Sequence, residues 1–249
     1  TGAHTVKIYK ISTAAMTDYG RTGPTGTNWS RYGAVAGLDA ATEELTLSRD
    51  RSFTFAIDAM DADETGQTLT AASALARQLR EVVIPEIDGY VFGKMCTGAG
   101  TKPAAAELTA ANIYGEILKA GAALDAAEVP ETGRQLLVTP ETLLLMKQSG
   151  DIVLETDIGA DLRLKGVISN LDGANVIRVP ASRVPEGFGF LLAHPSATVA
   201  PVKLESYNTH QNPPGINGQL VEGRVVYDAF VLENKKMALY YQAVPTEEA

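Results

Sequence analysis

QTLTAASALARQLREVVIPEIDGYVFGKMC, residues 67–96, is the stretch that decides the fold. Its apolar residues recur at steps of three and four, which is the period of one face of an α-helix. Pro85 lies inside the pattern, and because proline lacks a backbone donor we expect it to kink or split the helix. The pattern resumes at Ile87 and reaches Met95. Thirty helical residues span roughly 45 Å, well beyond an ordinary helix of ~11 residues, so this stretch predicts a long spine.

The residues before the spine predict an extended hairpin with little core of its own. Residues 4–11 alternate polar and apolar side chains, which is typical of a half-buried strand. Residues 17–41 are rich in glycine, and further strands are predicted over residues 43–49 and 52–57. Two strands around a glycine-rich tip are marginally stable in water. The hairpin therefore needs another surface to cover it.

The residues after the spine predict a compact mixture of helices and strands. A linker over residues 98–106 leads to a helix from Thr109 to about Ala126 and a short strand over residues 135–138. Thr139, followed by proline and glutamate, is a strong start for another helix. Further strands are predicted over residues 165–168, 175–179, 188–192, 202–207, 223–232 and 237–242. The strand over residues 223–232 is apolar on both sides, so we expect it to be covered on both faces. The predicted fold class is α+β.

Composition excludes several classes of protein. The chain has 249 residues, a formal net charge of -9 and a single cysteine. The acidic balance argues against a protein that grips phosphate groups, and one cysteine cannot form an intrachain disulfide. No apolar run approaches the ~18 residues of a membrane span. Because the chain starts at Thr1 without an initiating methionine, we expect that an N-terminal piece was cleaved, trimmed or is not ordered.

Standard catalytic and metal-binding motifs are missing from the sequence. The three histidines, His4, His194 and His210, are far apart and form no metal-binding spacing with Cys96. Cys96 ends an apolar helical pattern, which favours a buried thiol. The acidic run over residues 58–64 resembles a calcium loop only loosely and favours a helix start. We therefore expect no enzyme activity, no cofactor and no catalytic or metal site.

Two groups of side chains are candidates for contacts between subunits. Tyr19, Trp29 and Tyr32 lie in the glycine-rich tip, and exposed aromatic residues are favoured interface anchors. The alternative is an ordinary loop with local aromatic packing. The second group consists of the arginines Arg49, Arg51, Arg77 and Arg80. These arginines can pair with the acidic run or contact a neighbouring subunit through bidentate pairs.

Four short stretches, taken in order, carry a family resemblance. They are SFTFAIDAMDADET at residues 52–65, VIPEIDGY at 83–90, LVTPE at 137–141, and LVEGR at 220–224 with YDAFVL at 227–232. Their order, from a long hairpin to a spine helix, a compact α/β region and returning strands, resembles the Hong Kong 97-type major capsid proteins of tailed phages, and siphophage members in particular. The resemblance covers nearly the whole chain.

The resemblance implies a division into regions. Residues 1–55 correspond to the E-loop, with a possible remnant of the N-arm at the start. Residues 56–105 and 220–235 correspond to a peripheral domain with the spine helix, and residues 106–219 and 236–249 to an α/β axial domain. In the family the E-loop lies across a neighbour's peripheral domain.

The resemblance also implies a role in the virion. Such subunits form pentamers and hexamers of the shell around the double-stranded DNA genome, after synthesis in the cytoplasm of the bacterial host. Scaffold, portal and decoration proteins are possible partners, no membrane is involved, and the DNA is not bound by sequence. Two alternatives stay open: an encapsulin-type compartment shell with the same fold, and a cytoplasmic α/β enzyme without an identifiable active site.

Overall fold

A computed structural model describes residues 5–11, 14–23, 30–35, 37, 40–64, 70–150 and 170–246. The chain divides into two compact units, residues 1–48 and residues 49–249. The division falls inside the region that the sequence predicts as one hairpin. The predicted strand over residues 165–168 lies outside the described residues.

The first unit is built on an antiparallel pair of strands. Strand β1 (Thr5–Ile11) pairs with β2 (Ala40–Thr46), from Thr5 opposite Thr46 to Ile11 opposite Ala40. Lys7 faces Glu44 across the pair and forms an ion pair with it. The predicted hairpin is therefore confirmed for these two strands.

The second unit contains the remaining elements. In chain order they are β3 (Arg49–Asp58), α1 (Ala59–Glu64), α2 (Ala71–Gln78), α3 (Ile84–Gly98), α4 (Ile113–Ala126), β4 (Gln135–Val138), α5 (Pro140–Gln148), β5 (Asn170–Leu171), β6 (Ala174–Arg178), β7 (Phe188–Ala193), β8 (Thr198–Val199), β9 (Val202–Gln211), β10 (Gly218–Tyr227), β11 (Phe230–Val231) and β12 (Leu239–Ala243). Short 3₁₀ turns lie at Ala181–Arg183, Pro195–Ala197 and Glu233–Ala238.

The predicted spine is helical from Ala71 to Gly98. Thr70 caps its start by accepting a hydrogen bond from the Ser73 backbone N–H. Between α2 and α3 the chain forms a π-turn, Leu79–Val83, after which the Ile84 N–H reaches back to the Leu79 carbonyl. A π-turn accommodates one extra residue without ending the helix. The interruption expected at Pro85 is therefore a wide turn just before the proline and not a break.

A three-stranded antiparallel sheet with the order β3–β10–β9 lies beside the spine. Phe53, Gly223 and Tyr207 are direct neighbours across the three strands. The start of the spine is tied to this sheet because the Ala71 N–H donates to the Gln219 side chain at 3.2 Å. The sheet joins β3, directly after the hairpin unit, to β9 and β10, near the C-terminal end of the chain.

A five-stranded mixed sheet with the order β12–β7–β4–β6–β5 forms the centre of the α/β region. Strands β4 and β6 run parallel, and the other neighbouring pairs are antiparallel. The predicted cap of α5 is confirmed, since the Thr139 hydroxyl accepts a hydrogen bond from the Thr142 N–H. The turn Asp172–Gly173 joins β5 to β6 with positive φ at both residues, as hairpin turns of this type require.

Both faces of this sheet are buried. Leu136 and Val138 of β4 pack into one core with α4 and α5, and Leu137, between them in sequence, packs into a second core with the end of the spine. Successive side chains of a strand point to opposite faces, which explains the division. All six residues of β7 are buried.

The predicted strand over residues 223–232 is divided into two strands. Strand β10 ends at Tyr227, and β11 pairs with β8 in a separate small sheet. The break lies at Asp228, whose backbone N–H donates to the Pro201 carbonyl and whose carboxylate accepts from the Ala229 N–H. Val225 and Val226 are both buried, so the expected cover on both faces is confirmed at the end of β10.

Candidate assembly surfaces

The hairpin unit exposes most of its apolar side chains. Tyr9 is 71% exposed, Met16 100% and Val35 70%. Leu47 is the one buried hydrophobic residue among the described side chains of residues 5–48. Because a stable fold buries its large apolar side chains, the described residues of this unit do not form a core of their own.

Tyr19 and Tyr32 lie together in the described part of the hairpin unit. Their ring centroids are 5.0 Å apart in an edge-to-face arrangement. The Gly20 N–H donates to the Arg31 carbonyl at 2.9 Å, and the Thr17 hydroxyl donates to the Tyr32 carbonyl at the same distance. These bonds hold the two rings in an exposed pair. Trp29, the third predicted aromatic residue, lies outside the described residues.

Arg49 and Arg51 lie on β3 beside the spine. The guanidinium group of Arg49 sits 4.6 Å from the centre of the Tyr90 ring, and the Lys94 ammonium group sits 5.4 Å from the same centre. Arg51 binds the Glu86 carboxylate through Nε at 2.6 Å and Nη2 at 3.5 Å. Both arginines thus connect the sheet to α3.

Arg77 and Arg80 lie on the spine itself, Arg77 near the end of α2 and Arg80 within the π-turn. Arg77 Nε donates a hydrogen bond to the Glu81 carboxylate at 2.8 Å. Arg80 Nη2 donates to the same carboxylate at 3.3 Å. Hydrogen bonds from Arg77, and then from Arg80, hold the pKa of the Glu81 carboxyl below its ordinary value. The sequence predicted the acidic run over residues 58–64 as a partner of these arginines. In the structure this run starts α1, and the Asp58 carboxylate accepts a hydrogen bond from the Met60 N–H at 2.8 Å.

A cluster between the spine and the sheet was not predicted from the sequence; Tyr227 and Asp228 are buried in it, Tyr90 is half-buried and Glu86 is exposed. The Tyr90 hydroxyl donates to Asp228 at 2.8 Å, and its ring meets the Tyr227 ring edge-to-face at 5.7 Å. The Tyr227 hydroxyl lies 3.3 Å from Glu86. Burial, and then the negative charge of Glu86, raise the pKa of Tyr227. This cluster fixes the spine on the sheet and forms the platform that carries Arg49 and Arg51.

The face of the sheet turned away from the spine is polar. Arg224 of β10 forms a double hydrogen bond with Asp50 of β3, and His210 of β9 lies 3.4 Å from Glu222. A groove of about 540 Å³ runs across this face between these groups.

Cys96, His194 and His210 are the candidate groups for catalysis and metal binding that lie within the described residues, and His4 lies outside them. Cys96 is buried, and burial raises the pKa of its thiol to about 12. His194 contacts the Ser196 hydroxyl at 2.8 Å, within its own turn. Across the described ranges, no three His, Cys, Asp or Glu side chains are placed to hold a metal ion. Nor does any helix among those residues have the length and apolar character needed to cross a membrane.

Comparison with known proteins identifies the fold through structure alone. No protein-family model matches the sequence, and no curated protein matches it. The capsid structure of the cyanophage P-SCSP1u matches with a TM-score of 0.74 at 12% identity, over 99% of this chain and 85% of that chain. A structure from Mycobacterium phage Che8 matches with a TM-score of 0.70 at 20% identity, over 96% and 84%.

A third match comes from outside the phages. The virus-like particle from Pyrococcus furiosus matches with a TM-score of 0.59 at 10% identity, over 96% of this chain and 86% of that chain. All three similarities cover nearly the whole of this chain, both of its units included. The protein therefore has the mixed helix-and-sheet fold found in these phage capsid and virus-like particle structures.

Proposed function

We propose that this protein is a major capsid protein, a structural subunit that self-assembles into a closed shell around phage double-stranded DNA. The observation that carries the proposal is the match to a phage capsid structure over 99% of the chain. A net charge of -9 suits a shell that encloses DNA without adhering to it, since phosphate binding depends on lysine and arginine.

The regions of the fold are assigned by analogy with Hong Kong 97-type subunits. Residues 1–55 are the proposed E-loop with an N-arm remnant, and residues 56–105 with 220–235 are the proposed peripheral domain. Residues 106–219 and 236–249 are the proposed axial domain. We extend this division at one place. The pairing of β9 with β10 supports assigning β9, which lies within residues 106–219, to the proposed peripheral domain. The pairing of β3 with β10 likewise supports β3 as the root of the proposed E-loop.

The exposed hairpin supports assembly through an arm. A two-stranded pair with exposed tyrosine, methionine and valine gains stability when a neighbour covers it. We assign this role to the peripheral domain of the next subunit in a pentamer or hexamer. Tyr19, Tyr32 and Trp29 are the proposed anchors on the arm.

The four arginines are proposed as the receiving side of this contact. A guanidinium group has five N–H donors, and the ion pair of Arg51 with Glu86 uses two of them. The pairs of Arg77 and Arg80 with Glu81 use one donor each. Arg49 is held over Tyr90. Fixed in this way, the side chains lose less rotational freedom when they bind a neighbour.

The remaining proposed partners follow from the shell. We propose scaffold, portal and decoration proteins as further partners of such a shell. We propose the virion as the mature location, after synthesis in the bacterial cytoplasm. An encapsulin-type compartment is the second candidate, because a virus-like particle shares the fold.

Electron microscopy of the purified protein tests the proposal. We expect regular closed shells, and shells isolated from the source should contain DNA and not protein cargo. A protein that stays monomeric at high concentration would contradict shell formation. Shells filled with a protein cargo would support the compartment instead.

Substitution of the tyrosine pair tests the role of the arm. Tyr19→Ala with Tyr32→Ala should weaken assembly and leave the circular dichroism spectrum unchanged, because both side chains are exposed. The matched control, Tyr19→Phe with Tyr32→Phe, keeps both rings and should assemble normally. If the alanine and phenylalanine variants assembled equally well, Tyr19 and Tyr32 would not be interface anchors.

A further inference from the structure

The turn between β9 and β10 ends in Asn217–Gly218, the one Asn-Gly pair in the sequence. We propose that Asn217 is a latent site of spontaneous deamidation, which the side chain of Asn212 holds unreactive in the folded chain. This inference is independent of the proposed function. It rests on the geometry of the turn and on the chemistry of asparagine.

The backbone requires glycine at position 218, so Asn217 is followed by the residue that leaves it most open to deamidation. Its φ is +148°, a value that residues with a side chain rarely adopt. A Cβ at Gly218 would lie 2.0 Å from the Ile57 carbonyl oxygen. The close approach of β3 therefore imposes glycine after Asn217.

The reaction needs only the chain and water. The backbone nitrogen of Gly218, after loss of its proton, attacks the side-chain carbonyl carbon of Asn217. The bond from that carbon to the amide nitrogen breaks, ammonia leaves, and a five-membered succinimide ring remains. Water opens the ring at either carbonyl, which yields aspartate or isoaspartate. Glycine favours the attack because no Cβ shields its nitrogen.

The attacking nitrogen is held by a hydrogen bond. The Gly218 N–H donates to Asn212 Oδ1 at 3.0 Å, and the Asn212 N–H donates to the Gly218 carbonyl at 2.7 Å. Gly218 is also buried. Loss of the proton from the Gly218 nitrogen requires its hydrogen bond to Asn212 Oδ1 to open first, so the folded turn slows the reaction. Asn212 itself is protected, because Pro213 after it has no N–H with which to attack.

Deamidation would change a junction of the fold. The Asn217 carbonyl accepts a hydrogen bond from the Ala59 N–H at 2.9 Å, where β3 passes into α1. Isoaspartate adds one methylene to the backbone and one negative charge, and the neighbouring Gly218 is paired with Asp58. The longer backbone would weaken the Ala59 bond and loosen the turn from this junction.

Mass spectrometry of the full-length chain tests the proposal. After incubation at mildly alkaline pH, trypsin releases residues 204–224, and fragmentation locates a gain of one dalton at Asn217. We expect the native chain to deamidate at least about tenfold more slowly than the urea-unfolded chain. Asn212→Ala should raise the native rate, whereas Asn212→Asp keeps an acceptor oxygen and should leave it low. Equal rates in the native and unfolded chains would overturn the proposal, as would a folded Asn212→Ala variant that is as slow as the wild type.

Hydrogen exchange of the Gly218 amide in the wild-type chain gives a readout that needs no variant. We expect strong protection of this amide. Exchange at the rate of an unstructured amide would overturn the proposal even if Asn212→Ala failed to fold.

Discussion

Gly223 occupies the centre of the three-stranded sheet because the Phe53 ring lies over it. A Cβ at Gly223 would lie 2.3 Å from the Phe53 ring, so the ring must shift to admit a methyl group. We expect Gly223→Ala to lower the free energy of unfolding by about 1–3 kcal/mol through overpacking. Denaturant unfolding measures this loss.

A helical glycine provides the control for this substitution. Gly115 in α4 is exposed and has open space around the position of a Cβ. Gly115→Ala should be neutral or stabilise by up to ~1 kcal/mol, because alanine favours helix. If Gly223→Ala changed the free energy of unfolding no more than Gly115→Ala does, the Phe53 ring would not pack over Gly223.

Cys96 should be chemically silent while the chain is folded. Burial raises the pKa of its thiol from 9.0 to about 12, so thiolate appears only as the pH rises toward 12. Since the thiolate is the reactive form, we expect alkylation at pH 8 to be at least about a hundredfold slower in the native than in the unfolded chain. Labelling with iodoacetamide, with and without urea, measures the ratio. Equal labelling rates would place the thiol in solvent.

Local signals in the sequence predicted some residue environments and missed others. The burial of Cys96 follows from its place at the end of an apolar helical pattern, and the Thr139 cap follows from its neighbours. The bond between Tyr90 and Asp228 joins residues 138 positions apart, and no periodicity reports such a contact. The partners of Arg51 and Arg77 were missed for a related reason, since several acidic residues lie within reach along the sequence.

At the scale of the element, the spine depends on the π-turn before Pro85. The turn holds one residue more than a regular helix, so deletion of Val82 would convert it to α-helix and keep both helical faces in place. The conversion brings the Pro85 ring against the preceding turn, which costs about 3 kcal/mol. We therefore expect the deletion to destabilise the chain by roughly that amount.

A double-mutant cycle isolates the role of the proline. Pro85→Ala should restore most of the stability in the deletion variant and have a small effect in the wild type, where the π-turn already accommodates the ring. Thermal unfolding of the four variants gives the coupling. Equal effects of Pro85→Ala in both backgrounds would show that the π-turn has another origin.

The elements with strong periodicity were predicted, and those fixed by long-range contacts were not. The spine, α4, β4 and α5 lie where the apolar pattern and capping residues indicate. The form of the interruption at Pro85 was missed, because proline excludes a hydrogen bond but does not specify the turn that replaces it. The break at Asp228 was also missed, since a backbone bond to Pro201 ends β10 there.

At the scale of the molecule, the two units differ in what holds them. The described part of residues 49–249 forms two buried cores, and these lie on opposite faces of the five-stranded sheet. In residues 1–48 the described side chains show one buried hydrophobic residue, Leu47. The sequence predicted this contrast because the tip is rich in glycine and threonine and poor in large apolar residues. It could not predict which residues contact a neighbouring subunit, because such contacts depend on the arrangement of several copies of the chain.

This difference predicts the behaviour of a chain that starts at Arg49. Because its cores lie within residues 49–249, we expect the truncated chain to fold with a cooperative unfolding transition. Without the hairpin it loses the arm that a neighbour would cover, so it should sediment as a monomer or small oligomer at concentrations where the full chain forms shells. Analytical ultracentrifugation and circular dichroism distinguish the outcomes. A truncated chain that still closes into shells would show that the hairpin is dispensable for assembly, and one that fails to unfold cooperatively would show that the hairpin contributes to the fold of its own subunit.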